Sequence, residues 1–132
     1  MTYLLDTCVI IDLVKGDLNT LQTLKSLSPN QIFVSTVTEF ELRYGLEKVS
    51  NRSNKSKGIV EGLLSEINKL NFEEKEAKVA AKIRNYLSGL GTPIGPYDVL
   101  IAATALANDL ILVTSNENEF KRIQALKIEN WR

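Results

Sequence analysis

Histidine is absent from this 132-residue sequence. That absence excludes Ser-His-Asp triads, Cys-His pairs, histidine-based ribonuclease chemistry and most catalytic zinc sites, all of which need an imidazole. Cysteine is almost absent as well. With Cys8 alone there is no intrachain disulfide and no thiolate metal cluster, and a reducing cytoplasm is the expected setting. Long hydrophobic runs are missing too. The longest, Leu100 to Ala107, contains Thr104 and is far too short to cross a bilayer, while Met1 to Asp12 lacks a basic n-region and is broken by Asp6 and Asp12, unlike a signal peptide. Finally, no charge dominates: 16 basic residues balance 16 acidic ones, so there is no global field toward nucleic acid or acidic membrane, and such a partner needs a local patch.

What remains is an ordinary soluble composition, 44% hydrophobic and 24% charged, in a chain slightly shorter than the ~150 residues usual for one domain. Short β-type runs occur at Tyr3 to Leu5, Ile32 to Ser35 and Leu110 to Thr114, with weaker ones near Leu70 to Phe72 and Lys127 to Glu129. Helical patterns lie between them, at Thr7 to Lys15, Leu18 to Leu27, Val37 to Val49, Ile59 to Leu70, Glu73 to Leu87 and Tyr97 to Asn108. Strands alternating with helices predict an α/β fold, a mostly parallel sheet of four or five strands covered on both faces. The segment Ser50 to Gly58 (SNRSNKSKG) has three basic residues, no acid and no large apolar side chain, and reads as a connecting loop that is either simply solvated or a nucleic-acid contact.

Three acidic residues stand where acids are costly. Asp6 ends the first strand and precedes a helix, where a carboxylate can also serve as an N-cap. In the third helical pattern, at about 100° per residue, Val37, Phe40 and Tyr44 form one apolar arc and Leu42, Leu46 and Val49 another. Glu41 and Gly45 fall between these arcs, whereas Glu39, Arg43 and Glu47 lie opposite at i, i+4 spacing, where they can pair in solvent. Thr38-x-x-Glu41 also fits a capping box, yet an inward carboxylate needs a cation or a basic partner, and histidine is not available. Asp98 begins an otherwise apolar helix (YDVLIAATALA) entered through Gly95-Pro96, where the helix dipole alone also favours an acid.

Topology links the three. In a parallel layer, strand carboxyl ends and helix amino ends share one edge, which receives Asp6, Glu41, Asp98 and Asn116 and is where open α/β sheets bind ligands. Clustered carboxylates call for neutralisation, and an all-oxygen donor set selects Mg²⁺ or Mn²⁺, the ions of phosphate chemistry. Such an ion can orient a water nucleophile and stabilise charge on a departing oxygen.

The segments LLDTCVIIDL (Leu4 to Leu13), TEFELRYGLEK (Thr38 to Lys48) and GTPIGPYDVLIAATALANDLILVTSNENEF (Gly91 to Phe120), with the tail KIENW (Lys127 to Trp131), resemble VapC-type toxins of the PIN-domain ribonuclease family over nearly the whole chain. The resemblance implies a single PIN-like domain over residues 1–132. It implies a metal-dependent endoribonuclease with Asp6, Glu41 and Asp98 as catalytic and metal-binding acids, working as the toxin of a type II toxin-antitoxin pair. It also implies a VapB-type antitoxin partner and a homodimer. Thr114 matches the family threonine after the fourth strand. A fourth acid often stands two residues beyond it, but here that place holds Asn116, leaving Asn116, Glu117 or Glu119 to complete the site.

The stretch GTPIGPYD resembles the branch that cuts initiator tRNA in its anticodon loop. Arg43, Lys48, Arg52, Lys55 and Lys57 form the expected RNA patch, since a neutral protein must grip phosphates locally. Two other readings compete. A phosphorylated receiver domain would need adjacent acids after the first strand, but Thr7 follows Asp6. A catalytically silent PIN-fold module binding RNA or protein would have little reason to keep all three acids.

Overall fold

A computed structural model describes residues 1–48 and 54–132. Five strands form one sheet: β1 (Tyr3–Leu5), β2 (Ile32–Ser35), β3 (Asn68–Leu70), β4 (Ile111–Val113) and β5 (Ile128–Glu129), in the order β3-β2-β1-β4-β5. All four pairings are parallel, with Leu4 opposite Phe33 on one side and Leu112 on the other. The alternation expected from the sequence is therefore present.

The helices are α1 (Thr7–Lys15), α2 (Leu18–Lys25), α3 (Thr36–Lys48), α4 (Asn54–Glu66), α5 (Glu74–Gly89), α6 (Pro96–Ala107) and a short α7 (Glu117–Phe120) that the sequence pattern did not reveal. Side chains alternate across each strand, so successive residues serve different cores. Leu4 and Leu112 face α5 and α6 and pack with Ile83, Leu87, Ile101 and Phe120; Tyr3, Leu5 and Val113 face the other way, toward Ile10 of α1, Leu42 of α3 and Leu64 of α4. Both faces are apolar and covered, which is why β1 reads as an unbroken hydrophobic run.

Four expectations need correction. The loop expected over Ser50 to Gly58 is helical from Asn54 onward, because the first turn of α4 is polar and solvated and its apolar stripe starts only at Ile59 and Val60. Arg52 and Val49 lie outside the described residues. The helical pattern read to Leu70 stops at Glu66, and β3 occupies Asn68–Leu70 rather than Leu70 to Phe72. Asn68 fixes that register by donating to the carbonyls of Pro29 and Ile32, a tertiary tie invisible to periodicity. The arc of Phe40 and Tyr44 is not core: they are 49% and 56% exposed. They pack on each other, ring centroids 6.3 Å apart, and Phe40 packs edge-on against Tyr97.

The chain ends in a clamp. Trp131 packs edge-on against Tyr3, and the Arg132 guanidinium takes both oxygens of Asp12 on α1, at 2.8 and 2.9 Å.

Candidate active site

The sheet order makes β1 the hinge of the topology, with β2 and β3 built outward on one side and β4 and β5 on the other. The crevice at the carboxyl ends of β1 and β4 is therefore the switch point of the fold. Asp6 leaves β1 directly into that crevice. It caps α1, as its position allows, but the cap uses only Oδ1, which accepts from the Thr7 N–H at 2.8 Å. Oδ2 accepts from the Thr114 hydroxyl at 2.8 Å and from the Cys8 thiol at 3.5 Å. Asp6 and Thr114 are both buried. Burial pushes the Asp6 carboxyl above its ordinary range, against the opposing pull of the bonds from Thr114, Thr7 and Cys8.

Glu41 is half-buried in the second turn of α3. The Thr38-x-x-Glu41 capping box is not formed, because Ser35 Oγ accepts the Thr38 N–H at 3.0 Å and α3 already begins at Thr36. Glu41 Oε1 instead accepts from Thr7 Oγ1 at 2.8 Å. Glu39 pairs with Arg43 at 2.9 Å, as the i, i+4 spacing anticipates, and also with Lys69 at 3.3 Å.

Asp98 stands in the first turn of α6, whose N-cap is Gly95. A Cβ on residue 95 would come within 3.2 Å of Asp98 Oδ2, so glycine leaves room for the carboxylate. Burial, then the charges of Asp6, Glu119 and Glu41, and a hydrogen bond with Glu119 push Asp98 up to about 7. Asp98 is thus opposed by both of the other predicted acids at this edge, and Glu119 joins them. Glu117 is exposed and accepts from the Asn130 amide at 3.1 Å, whereas Asn116 caps α7 and gives its N–H to Thr114 Oγ1 at 2.9 Å.

Among the described residues no three acidic or thiol side chains are drawn together tightly enough to form a finished metal cage. The donors at this edge are oxygens apart from Cys8, whose Sγ is 3.3 Å from Ser115 Oγ. Such a set suits a hard divalent cation.

The basic residues are dispersed. Arg43 is engaged by Glu39 and Glu61, and the Lys48 ammonium lies 5.1 Å from the Tyr44 ring centre. Lys55 and Lys57 are exposed in the first turn of α4, and Arg52 is outside the described residues. Sequence reasoning missed Thr7 and Ser115, hydroxyls whose partners lie on other elements. The only sequence signal was their adjacency to Asp6 and Thr114.

The PIN domain model matches residues 3–126. The chain is 34% identical to the tRNA(fMet)-specific endonuclease VapC of Salmonella typhimurium over 131 residues, covering 99% of this chain and 98% of that protein. It is 37% identical to Ribonuclease VapC2 of Haemophilus influenzae over 133 residues, with the same coverage of 99% and 98%. Among solved structures, a chain of VapBC2 from Rickettsia felis, bound to a DNA fragment from their promoter, superposes with a TM-score of 0.91 at 32% identity over 100% of both chains. Fold and sequence agree: the chain belongs to the VapC group of the PIN-domain family.

Proposed function

We propose that this protein is a divalent-metal-dependent endoribonuclease, the toxin of a type II toxin-antitoxin pair with a VapB-type partner. The observation that carries the proposal is the placement of Asp98 at the β1–β4 switch point, where Asp6, Glu119 and Glu41 all oppose its charge. Acids facing acids at a ligand crevice are poised to bind a cation. Asp6, Glu41 and Asp98 would hold Mg²⁺ or Mn²⁺, with Glu119 as the acid that supports Asp98. When bound, the ion supplies charge neutralisation at phosphate and a water made nucleophilic near neutral pH. The protein's own part is orientation. Thr114 and Thr7 fix the two oxygens of Asp6, Thr7 also holds Glu41, and Gly95 keeps the approach to Asp98 open.

The best supported substrate is initiator tRNA, cut in its anticodon loop. The GTPIGPYD motif and the name of the Salmonella relative both point there. Lys55 and Lys57 are the exposed cations offered to the flanking phosphates. A homodimer is the expected assembly: Tyr97, against which the exposed Phe40 packs, lines an apolar groove of about 630 Å³ between α5 and α6 together with Phe72, Ile94 and Leu100.

Incubation with total RNA and Mg²⁺ or Mn²⁺, followed by mapping of new 5′ ends, tests the proposal. Cuts bearing 5′-phosphates in the initiator tRNA anticodon loop are expected. Cuts scattered through messenger RNA would overturn the tRNA assignment alone, and binding without products under either ion would reduce the chain to a binding module.

A further inference from the structure

Thr7 is the first residue of α1 and touches two acids that belong to different elements. Its N–H donates to Asp6 Oδ1 and its hydroxyl donates to Glu41 Oε1, each at 2.8 Å. The second bond spans 34 positions of sequence and joins the β1–α1 junction to α3. Thr7 Oγ1 also lies 3.3 Å from Thr38 Oγ1, which is fully buried one turn before Glu41. The hydroxyl has one proton, and the charged oxygen at the shorter distance is the stronger acceptor. A glutamate carries three side-chain torsions and, half-buried on a helix, would otherwise sample several of them.

We infer that Thr7 is a positioning residue: it locks the Glu41 carboxylate and sets the spacing of Glu41 from Asp6, so that the two acids meet one cation together. This rests on the reading of Glu41 as a site acid. Bonds to the far oxygen of a ligating carboxylate orient the ligand and raise metal affinity without touching the reacting atoms. Valine at residue 7 keeps the shape of threonine but sets a methyl group against Glu41 Oε1, whereas serine keeps the donor.

The test compares Thr7→Val, Thr7→Ser, Glu41→Gln and the double variant Thr7→Val/Glu41→Gln by Mn²⁺ titration, RNA cleavage and thermal unfolding. Thr7→Val should lower both Mn²⁺ affinity and cleavage by about 10–100-fold, the usual cost of an outer-shell partner, while still unfolding cooperatively. Thr7→Ser should restore both. In the Glu41→Gln background, Thr7→Val should cost no further Mn²⁺ affinity, because the two residues act as one unit. Wild-type Mn²⁺ affinity in Thr7→Val, equal losses in the valine and serine variants, or additive losses in the double variant would each overturn the inference. Full cleavage by Glu41→Gln would instead overturn the reading of the site, a result separable from failure of Thr7 alone.

Discussion

Two kinds of withdrawn acid occur in this molecule, and their surroundings are opposite. Glu76, 2% exposed, accepts from the Glu73 N–H at 3.0 Å and the Asn108 amide at 2.9 Å, and Asp12 accepts both prongs of Arg132. Each of these carboxylates is surrounded by donors and ties one element to another, as a buried charge must be if it is to persist. At the carboxyl edge of the sheet, Asp98 faces Asp6, Glu119 and Glu41, and its charge is opposed rather than matched. Acids that serve structure come with their partners built in. Asp98 instead leaves a place for one, and the fold tolerates the repulsion because the rest of the domain is consistently packed.

The largest expected break in this comparison is at Asp98. Asp98→Asn should reduce RNA cleavage on the order of 10²–10⁴-fold, the range for a group acting at the reacting centre, while the metal-free fold stays intact or gains stability from the relief of repulsion. Glu119→Gln should also impair cleavage and Glu117→Gln should not, since only Glu119 reaches Asp98. Steady-state cleavage of a defined RNA, alongside thermal unfolding, checks both.

The same operation on the structural acid should do the reverse. Glu76→Ala removes the acceptor of the Glu73 N–H and one of the two acceptors of the Asn108 amide, and should cost about 1–3 kcal/mol in denaturant unfolding, with cleavage per folded molecule unchanged. Equal loss of activity at both sites would erase the distinction.

A smaller effect follows from pH. The folded protein holds the Asp98 proton up to about 7, against an ordinary 3.8, so between these values it binds more protons than the unfolded chain does. Stability of the metal-free protein should therefore fall as pH rises through that window, and burial of Asp6 pushes the same way. In Asp98→Asn the decline should shrink, and Mg²⁺ should flatten it in the wild type. Unfolding midpoints across this pH range provide the readout.

The smallest expected change concerns cations. Neutralising Lys55 and Lys57 should weaken RNA binding modestly and lower the salt slope by about 0.7 per lost phosphate contact, without altering Mn²⁺ affinity. An unchanged slope would move the RNA patch elsewhere.

Much of this was legible in advance, for identifiable reasons. β1, β2 and α1 have the expected bounds, because unbroken apolar runs and a strand-end acid leave one solution. Asp98 was legible because one acid in an apolar helix has no packing role. The start of α4 was not, since its first turn is polar on every side, and neither was the exposure of Phe40 and Tyr44, because periodicity gives the faces of a helix but not what lies against them.

The sequence by itself determined the alternation of strand and helix, the exclusion of imidazole and disulfide chemistry, and the three acids too costly to be casual. Those are properties of composition and local period. Only the tertiary structure decided that Glu119 reaches Asp98 while Glu117 turns to Asn130, that Glu41 is held by Thr7 rather than by its own helix cap, and that Arg43 is occupied by Glu39 and Glu61. Each of those outcomes depends on contacts between residues from different elements, and spacing along the chain carries no record of how the crossovers of a parallel sheet bring them together.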